Sequence, residues 1–256
     1  MRIGLTQYTA GAAGLKLLER AAELGITGVE PMIASANSEY LSWPANDIEC
    51  FVKQARKMKI SVPATAMAIF NDEDSLVNSE GKDRAVNLIS LSLKFASVVG
   101  AKAMLLCTFF ASHPNTDHKK DNLHKVLCEV EQFARNLHVA IALESPLPAK
   151  ELAEMIDKLN SPFVGAYYDV GNALYLGYDP AGEIEYLAQR ILSVHMKDTV
   201  KNLGDSHLGC GRLNLETVFT ALKRINYSGW LIIETPNSND AALKNDIRLL
   251  HQYLEP

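Results

Sequence analysis

The sequence lacks the cysteine pairs that would indicate a disulfide framework. Its four cysteines are scattered without a Cys-x-x-Cys pair; they are Cys50, Cys107, Cys128 and Cys210. In a chain of 256 residues this usage predicts reduced thiols and a cytoplasmic protein. It also gives no support to a thiolate site for a soft metal.

An excess of positive charge and a long apolar run are also missing. The net charge is −5 and the pI is near 5.8, whereas a nucleic-acid-binding protein normally presents a clustered basic face. The basic cluster HKK at 118–120 lies between Asp117 and Asp121, which favours a solvated helix start. No apolar stretch approaches the ~18 residues of a membrane span, and the N-terminal MRIGLTQYTA lacks the apolar centre of a signal peptide. We therefore expect neither a nucleic-acid partner nor a membrane.

Glycine-rich phosphate-binding loops are absent too. The turn TAGAAG at 9–14 does not match Gly-x-Gly-x-x-Gly, and the pattern Gly-x-x-x-x-Gly-Lys-[Ser/Thr] occurs nowhere in the chain. An open, doubly wound sheet that binds a dinucleotide normally carries such a loop after its first strand. This absence disfavours that fold.

The sequence does contain a regular alternation of short apolar runs with longer segments of helical period. Its 48% hydrophobic composition is ordinary for a globular protein. The predicted strands are 3–8, 28–33, 61–70, 101–110, 138–145, 162–170, 190–198 and 229–236. The predicted helices are 14–25, 47–59, 82–99, about 119–137, 149–159, about 180–190, 215–225 and about 240–253.

Eight such strand–helix units predict one closed parallel barrel. The strands are continuous apolar runs, as expected for parallel strands that are covered on both faces. We therefore predict the α/β class and a (β/α)8 TIM barrel, with residues 1–256 forming a single domain. The most irregular stretch, residues 67–84, follows the third strand and is either a lid over the barrel mouth or a plain surface excursion.

Potential metal ligands end four consecutive strands in the second half of the chain. Strands five to eight end in IALES, AYYDV, SVHMKD and LIIETP, which contain Glu144, Asp169, His195 and Glu234 respectively. Neighbouring strands lie ~4.8 Å apart, so side chains on one rim of a barrel can converge on one ion. Three carboxylates and one imidazole favour Mn²⁺, Mg²⁺ or Co²⁺, with Zn²⁺ as a further candidate. Without a cation, burying three unpaired carboxylates together would be unfavourable.

Two more charged residues follow His195 in the seventh strand. Lys197 points to the same side of the strand as His195, so it either contacts substrate or forms a structural ion pair. Asp198 either orients His195 or starts the following loop, and the second role is favoured.

Several motifs resemble the sugar-phosphate isomerase/epimerase superfamily, the xylose-isomerase-like TIM barrels. YYDVGN at 167–172 resembles the family's Asp-x-Gly-His/Asn strand end, and VHMKDT at 194–199 resembles its His-x-Lys-Asp. The segment 208–234 resembles its Gly-x-Gly loop, helix, turn and final Glu strand, and ELGITGVE resembles its first helix-to-strand passage. Members include tagatose/psicose 3-epimerases, L-ribulose-5-phosphate 3-epimerases, hydroxypyruvate isomerases, inosose dehydratases and, more remotely, endonuclease IV.

The resemblance implies a divalent-metal-dependent isomerase or epimerase of a small sugar, sugar phosphate or hydroxy-keto acid. It implies that Glu144, Asp169, His195 and Glu234 bind the metal and that the two glutamates act as the acid/base pair. Proton transfer would then pass through a metal-bound cis-enediolate. Lyase activity of the inosose-dehydratase kind and a non-catalytic sugar-binding barrel remain alternatives on the same scaffold.

Departures from the family pattern bear on the substrate. Asn172 stands where the family often has His, and Cys210 stands between the loop glycines where Glu or Lys is common. We consider Asn172, Lys197, Arg212, His207 and Tyr8 as substrate-binding candidates, although core packing or surface ion pairing is the ordinary role of several. Glu30 either contacts substrate or ties a loop, and the tie is favoured.

An endonuclease IV-like phosphodiesterase is disfavoured by two observations. His207 and Asp205 resemble its additional ligands, but its three-metal cluster also needs histidines at the ends of strands three and four. ATAMAIF and AMLLCTF contain none. The acidic net charge agrees. The sequence leaves the substrate, its phosphorylation, the native metal and a homo-oligomeric state open.

Overall fold

A computed structural model describes residues 1–237 and 239–254 of the chain. Its strands are β1 Arg2–Thr6, β2 Gly28–Glu30, β3 Met32–Ile33, β4 Ala64–Met67, β5 Ala103–Cys107, β6 Ala140–Glu144, β7 Val164–Asp169, β8 Ile191–Met196 and β9 Trp230–Ile233. Its α-helices are α1 Gln7–Ala10, α2 Gly14–Glu23, α3 Ala45–Lys57, α4 Lys82–Val98, α5 Asp117–Leu137, α6 Ala149–Leu159, α7 Val170–Tyr175, α8 Pro180–Leu187, α9 Leu215–Arg224 and α10 Asp240–Leu254. Short 3-10 helices lie at Glu39–Leu41, Ile69–Asn71, Ser79–Gly81, Phe110–Ser112 and Ala188–Arg190.

All strand pairings are parallel, and the sheet curls into a barrel in the order β2-β1-β9-β8-β7-β6-β5-β4-β3. The two ends of this order are halves of one predicted strand, which Pro31 divides because proline has no N–H to donate. The first half pairs with β1 and the second with β4. The Val29 N–H donates to the Ser61 carbonyl at 2.9 Å, and the Ala66 N–H donates to the Pro31 carbonyl at 2.8 Å. The predicted TIM barrel in a single domain is therefore confirmed.

The barrel interior is filled by large side chains from some strands and by small side chains from others. Trp230 and Tyr167 are its largest buried side chains, and the Arg2 guanidinium lies 4.3 Å from the centre of the Trp230 ring. The interior side chains of β4 and β5 are mostly small and include Ala64, Ala66 and Ala103. Gly28 is required beside Trp230, because a Cβ there would lie 2.3 Å from the indole ring. The helices pack around the outside and bury the other face of every strand.

Two short helices interrupt strand ends that the apolar pattern predicts to continue. The first strand, predicted to end at Tyr8, ends at Thr6, whose hydroxyl accepts a hydrogen bond from the Thr9 N–H and caps α1. The sixth predicted strand corresponds to β7 and is followed immediately by α7. Asp169 caps α7 by accepting from the Asn172 N–H at 2.8 Å. Capping therefore sets both strand ends, and apolar periodicity does not reveal it.

The irregular segment 67–84 is held by specific bonds to its neighbours. Leu76 and Val77 are buried, and the Phe70 carbonyl accepts from the Ser112 hydroxyl at 2.7 Å. The Asn122 side chain donates to the Val77 carbonyl at 3.0 Å. The segment contributes Asn71 to the barrel mouth, so it forms part of the rim. In the described part of the chain, the helices are too short or too polar to span a membrane.

Candidate functional site

Four potential ligands converge at the carboxyl end of the barrel. Glu144 and Asp169 are the last residues of β6 and β7, His195 is the last but one of β8, and Glu234 directly follows β9. The strand register places Asp169 beside His195. One ligand atom from each of the four residues lies within 4.8 Å of the other three. Neighbouring strand ends thus bring together the residues that the sequence places in separate motifs.

The unpaired ring nitrogen of His195 faces the carboxylates. Its Nδ1 lies 3.6 Å from Glu144 Oε1, 3.6 Å from Asp169 Oδ2 and 3.3 Å from Glu234 Oε2. This buried nitrogen has no hydrogen-bond partner among the described residues. Atoms that share one ion at 2.0–2.3 Å are separated by at most about 4.6 Å, so the cluster nearly matches a coordination sphere. The geometry therefore suits a cation.

A fourth carboxylate, that of Glu30, orients the imidazole from the side opposite the cluster. Glu30 is fully buried at the end of β2; its Oε1 lies 2.9 Å from His195 Nε2 and its Oε2 accepts from the Tyr167 hydroxyl at 2.5 Å. A proton on Nε2 that is donated to Glu30 leaves the Nδ1 lone pair directed at the cluster. The Tyr167 and His195 rings also pack with their centroids 4.4 Å apart. Both the hydrogen bond and the packing hold the imidazole in one orientation.

Lys197 and Asn172 complete the cluster. The Lys197 ammonium lies 2.8 Å from Asp169 Oδ2 and 2.5 Å from Glu234 Oε2. The Asn172 amide donates to Glu144 Oε1 at 3.0 Å. Of the two roles considered for Lys197, the structure shows the ion pair. Asn172 therefore contacts Glu144, one of the four potential ligands, directly.

These contacts shift the pKa values of the cluster. Burial and the charges of Glu234 and Asp169 raise the pKa of Glu144 above its ordinary value. Burial acts to raise the pKa of Glu234, but the charges of His195 and Lys197 outweigh it and hold that pKa below the usual range. Burial disfavours the charged forms of His195 and Lys197, yet the surrounding carboxylates raise both pKa values well above the ordinary ones. A cation at Nδ1 would therefore compete with a proton.

The charge of the cluster fits a dication. Four carboxylates, those of Glu30 and of the three acidic ligands, surround one ammonium and one imidazole. Buried carboxylates are tolerated when they are paired or coordinate a metal. The orphaned His195 Nδ1 and the oxygen-rich donor set both suit a divalent cation that accepts hard ligands together with one imidazole.

Replacing Glu30 with Gln is expected to weaken Mn²⁺ binding by about 10–100-fold. The Gln amide can donate to His195 Nε2, which would move the ring proton to Nδ1 and block the nitrogen that faces the cluster. The dissociation constant, measured by titration calorimetry, checks this. Tyr167→Phe is the matched control, because it removes one hydrogen bond to Glu30 but keeps the carboxylate, and it should cost less affinity. Equal affinities of Glu30→Gln and wild type would contradict the orienting role.

A cavity of about 320 Å³ opens above the cluster. This volume lies in the range of small-molecule sites. The substrate-binding candidates Tyr8, Asn172 and Lys197 line it, together with Glu144, His195 and Glu234. The remaining wall is formed largely by apolar side chains from β3, β4 and β5 and from the loops that follow β4 and β5. The cluster therefore lies on one side of an accessible pocket.

Two other substrate-binding candidates, His207 and Arg212, do not line this cavity. His207 Nδ1 lies 2.6 Å from the carboxylate of Asp246, a fully buried residue of α10 that also accepts from the Thr235 hydroxyl at 2.7 Å. Arg212 is exposed, and its backbone N–H donates to the Thr199 carbonyl at 3.0 Å. Both residues belong to the loop between β8 and α9, where sequence spacing does not indicate side-chain direction.

Asp198 stands at the start of that loop, as the sequence favours, and its side chain also anchors the loop. Its buried carboxylate accepts from the backbone N–H groups of Thr199, Leu213 and Gly211 at 2.8, 2.9 and 3.0 Å. Gly211 is required there, since a Cβ would lie 2.2 Å from Asp198 Oδ1. The anchored loop supplies part of the cavity wall.

We expect Asp198→Asn to lower the free energy of unfolding by about 2–4 kcal/mol, because the amide nitrogen would face one of these N–H groups and leave it unsatisfied. Urea denaturation measures the loss. Asp205→Asn is the matched control: Asp205 accepts from the Val200 and Asn202 N–H groups, which lower its pKa to about 2, but it is exposed. A loss for Asp198→Asn no larger than for the control would contradict the anchoring role.

Sequence reasoning missed two partners of the cluster. The sequence favours a loop tie over a substrate contact for Glu30, but its carboxylate bonds to His195 and Tyr167. Tyr167 lies two residues before Asp169 in β7, so strand periodicity places both on the same face and could have indicated its position. Asn71 joins the cavity from the irregular segment, where no periodicity applies.

Comparisons with known proteins agree with this architecture. The family model for the xylose isomerase-like TIM barrel matches residues 18–253. The chain is 25% identical over 241 residues to the L-ribulose-5-phosphate 3-epimerase UlaE of Salmonella heidelberg strain SL476, covering 88% of this chain and 83% of that relative. A D-tagatose 3-epimerase-like protein superposes with a TM-score of 0.82 at 20% identity, covering 99% of this chain and 97% of that one. An IOLI protein with a bound zinc atom gives a TM-score of 0.79 at 18% identity, covering 99% and 96% respectively. The chain belongs to the xylose isomerase-like TIM barrel family.

Proposed function

We propose that this protein is a divalent-metal-dependent epimerase or isomerase of a small keto sugar. One observation carries the proposal: three carboxylates and an unpaired imidazole nitrogen converge at the wall of an open cavity, and two of the carboxylates are glutamates. The names of similar proteins, L-ribulose-5-phosphate 3-epimerase and D-tagatose 3-epimerase-like protein, support a sugar substrate.

Glu144, Asp169, His195 and Glu234 are the residues that would hold the metal. The preference for oxygen donors favours Mn²⁺, Mg²⁺ or Co²⁺, and the zinc atom of a structurally similar protein keeps Zn²⁺ as a candidate. When bound, such a cation supplies Lewis-acid polarisation of a substrate carbonyl.

The proton transfers are assigned to the two glutamates. Glu144 and Glu234 come from β6 and β9, which β7 and β8 separate in the sheet, and both line the cavity. One carboxylate removes the proton from the carbon next to the carbonyl, and the other returns a proton to the resulting enediolate. Return to the opposite face of the same carbon gives epimerisation, whereas return to the neighbouring carbon gives aldose–ketose isomerisation.

The surrounding side chains prepare these carboxylates for their roles. Asn172 donates to Glu144 and holds one of its oxygens, which leaves the other for proton transfer. Lys197 binds Glu234 and Asp169 together and stabilises the ionised form of Glu234. Glu30 fixes the imidazole of His195. These contacts preorganise the site, so little rearrangement is needed during proton transfer.

The test is a screen for solvent-deuterium incorporation by the purified, manganese-loaded chain. Ketoses, ketose phosphates and hydroxypyruvate are incubated in D₂O, and products are identified by NMR. Deuterium at the carbon next to the carbonyl, with inversion or carbonyl migration, is the expected result. Loss of water from the substrate would indicate a lyase, and ligand binding without exchange would indicate a sugar-binding barrel. Either outcome would overturn the proposal.

A further inference from the structure

The cavity has two chemically different sides. The side formed by β6 to β9 carries the polar cluster of Glu144, Asn172, His195, Lys197 and Glu234. The opposite side comes from β3, β4 and β5 and from the loops that follow β4 and β5. Its walls are apolar; they include Met32, Ala66, Ala68, Leu105 and Phe109. A substrate whose reacting carbons meet the glutamates must place its other end against these walls.

The apolar side offers no cation for a phosphate group. Among the described residues that line the cavity, Lys197 is the one basic side chain apart from His195. Its ammonium is bound to Asp169 and Glu234, and it lies on the polar side. A phosphate ester carries up to two negative charges and is normally bound by Arg, Lys or several backbone N–H groups. Against Met32 and Leu105 it would lose its hydration without gaining such partners.

Neutral polar groups on this side are few. The Asn71 side-chain oxygen accepts from the Cys107 thiol, with 3.0 Å between oxygen and sulfur, while its amide nitrogen makes no hydrogen bond to any described residue. Tyr8 is half exposed at the rim. Asn71 and Tyr8 can form hydrogen bonds with one or two hydroxyl groups of a substrate. A terminal hydroxymethyl placed against Ala66 and Leu105 would leave its O–H unsatisfied, whereas a methyl group would be favourable there.

We propose that the substrate is an unphosphorylated ketose whose end remote from Glu144 and Glu234 is deoxygenated, as in a 6-deoxy-ketohexose. This inference rests on the proposed function for the orientation of the sugar. Discrimination against the phosphate comes from the missing cation, and the preference for a methyl end comes from the wall of Met32, Ala66 and Leu105. The hydroxyls nearer the reacting carbons meet the polar side.

Calorimetric binding of matched sugars to the manganese-loaded chain tests this inference. The probes are D-fructose, 6-deoxy-D-fructose and D-fructose 6-phosphate, and the corresponding three members of the D-tagatose series. In at least one series we expect the 6-deoxy sugar to bind about 3–10-fold more tightly than its hydroxylated parent, as for one favourable apolar contact. The 6-phosphate should bind at least roughly 100-fold more weakly than the 6-deoxy sugar. A phosphate that binds as tightly as the free sugars, or no binding of any free sugar, would overturn the inference.

A variant that supplies the missing cation sharpens the test. Met32→Lys places an ammonium on the apolar wall and should reverse the order, with the 6-phosphate gaining at least about tenfold in affinity while the 6-deoxy sugar loses affinity. Met32→Gln is the matched control, with similar length but no charge, and should not gain phosphate affinity. A gain in affinity for the 6-phosphate by both variants, or by neither, would contradict the role of this apolar wall in excluding phosphate.

Deuterium exchange measured on the same sugars separates this inference from the proposed function. The expected binding order without exchange would support the substrate class while overturning catalysis. Exchange that is fastest with the phosphate esters would support catalysis and overturn the substrate class.

Discussion

Replacing either cavity glutamate, as Glu144→Gln or Glu234→Gln, is expected to slow interconversion of the two sugar epimers by about 10³-fold, within the range of general acid–base catalysis. Gln keeps the size of the side chain and can still offer an oxygen, but it cannot exchange a proton near neutral pH. The rate is measured at saturating Mn²⁺ with the ketose identified by deuterium exchange, so a weaker metal site does not mimic the effect.

The stereochemistry of the residual reaction distinguishes the two glutamates. If each glutamate serves one face of the reacting carbon, each variant should still exchange the proton of one epimer while failing to convert it. The epimer that retains exchange should differ between Glu144→Gln and Glu234→Gln. Exchange lost equally from both epimers in only one variant would contradict the two-base assignment and indicate a single catalytic base.

Glu183→Gln is a matched control for the loss of a partly buried carboxylate. Glu183 accepts from the Ala149 N–H at 2.8 Å and from the Tyr168 hydroxyl at 3.0 Å, and it does not line the cavity above the cluster. Its replacement should lower stability while leaving kcat/KM close to that of the wild type. A comparable loss of activity would mean that the effect of Glu144→Gln reflects folding rather than chemistry.

Much of the fold and of the cluster could be predicted from the sequence because both depend on regular spacing. Continuous apolar runs identify parallel strands, and the ends of such strands meet at one rim in a barrel. The same spacing predicts that Glu144, Asp169, His195 and Glu234 meet at that rim, and one potential ligand atom of each lies within 4.8 Å of the other three.

The remaining errors arise where spacing carries no information on direction. Pro31 divides the second strand, and Thr6 turns the end of the first strand into α1, through local bonding rather than apolar period. His207 and Arg212 lie in the irregular loop after β8, where the side chain of His207 is directed at Asp246. The bonds of Glu30 to His195 and Tyr167 join residues that are 165 and 137 positions apart in the chain. Such contacts form because the barrel closes, and no local sequence pattern predicts them.

Removing divalent metal is expected to abolish exchange and to lower the melting temperature by roughly 5–11 °C relative to protein with Mn²⁺ at 100 times its dissociation constant. Binding at that concentration adds about 2.7 kcal/mol to the free energy of unfolding. In a chain of this size, 1 kcal/mol corresponds to about 2–4 °C. The shift is measured by differential scanning calorimetry after chelation and after dialysis against excess Mn²⁺. Identical melting curves, together with undiminished exchange, would contradict a metal site.

Lys197→Met makes the origin of this stabilisation testable, because Lys197 neutralises part of the same cluster. Its ammonium contacts Asp169 Oδ2 at 2.8 Å and Glu234 Oε2 at 2.5 Å, so removing it leaves buried carboxylates without their cation. Breaking such a pair costs about 3–5 kcal/mol. The metal-free variant should therefore be strongly destabilised, and Mn²⁺ should raise its melting temperature by more than it raises that of the wild type, since the cation then meets no competing ammonium. A smaller manganese shift in Lys197→Met than in the wild type would mean that Lys197 supports the cation instead of substituting for it, and the charge argument for a dication at this cluster would fail.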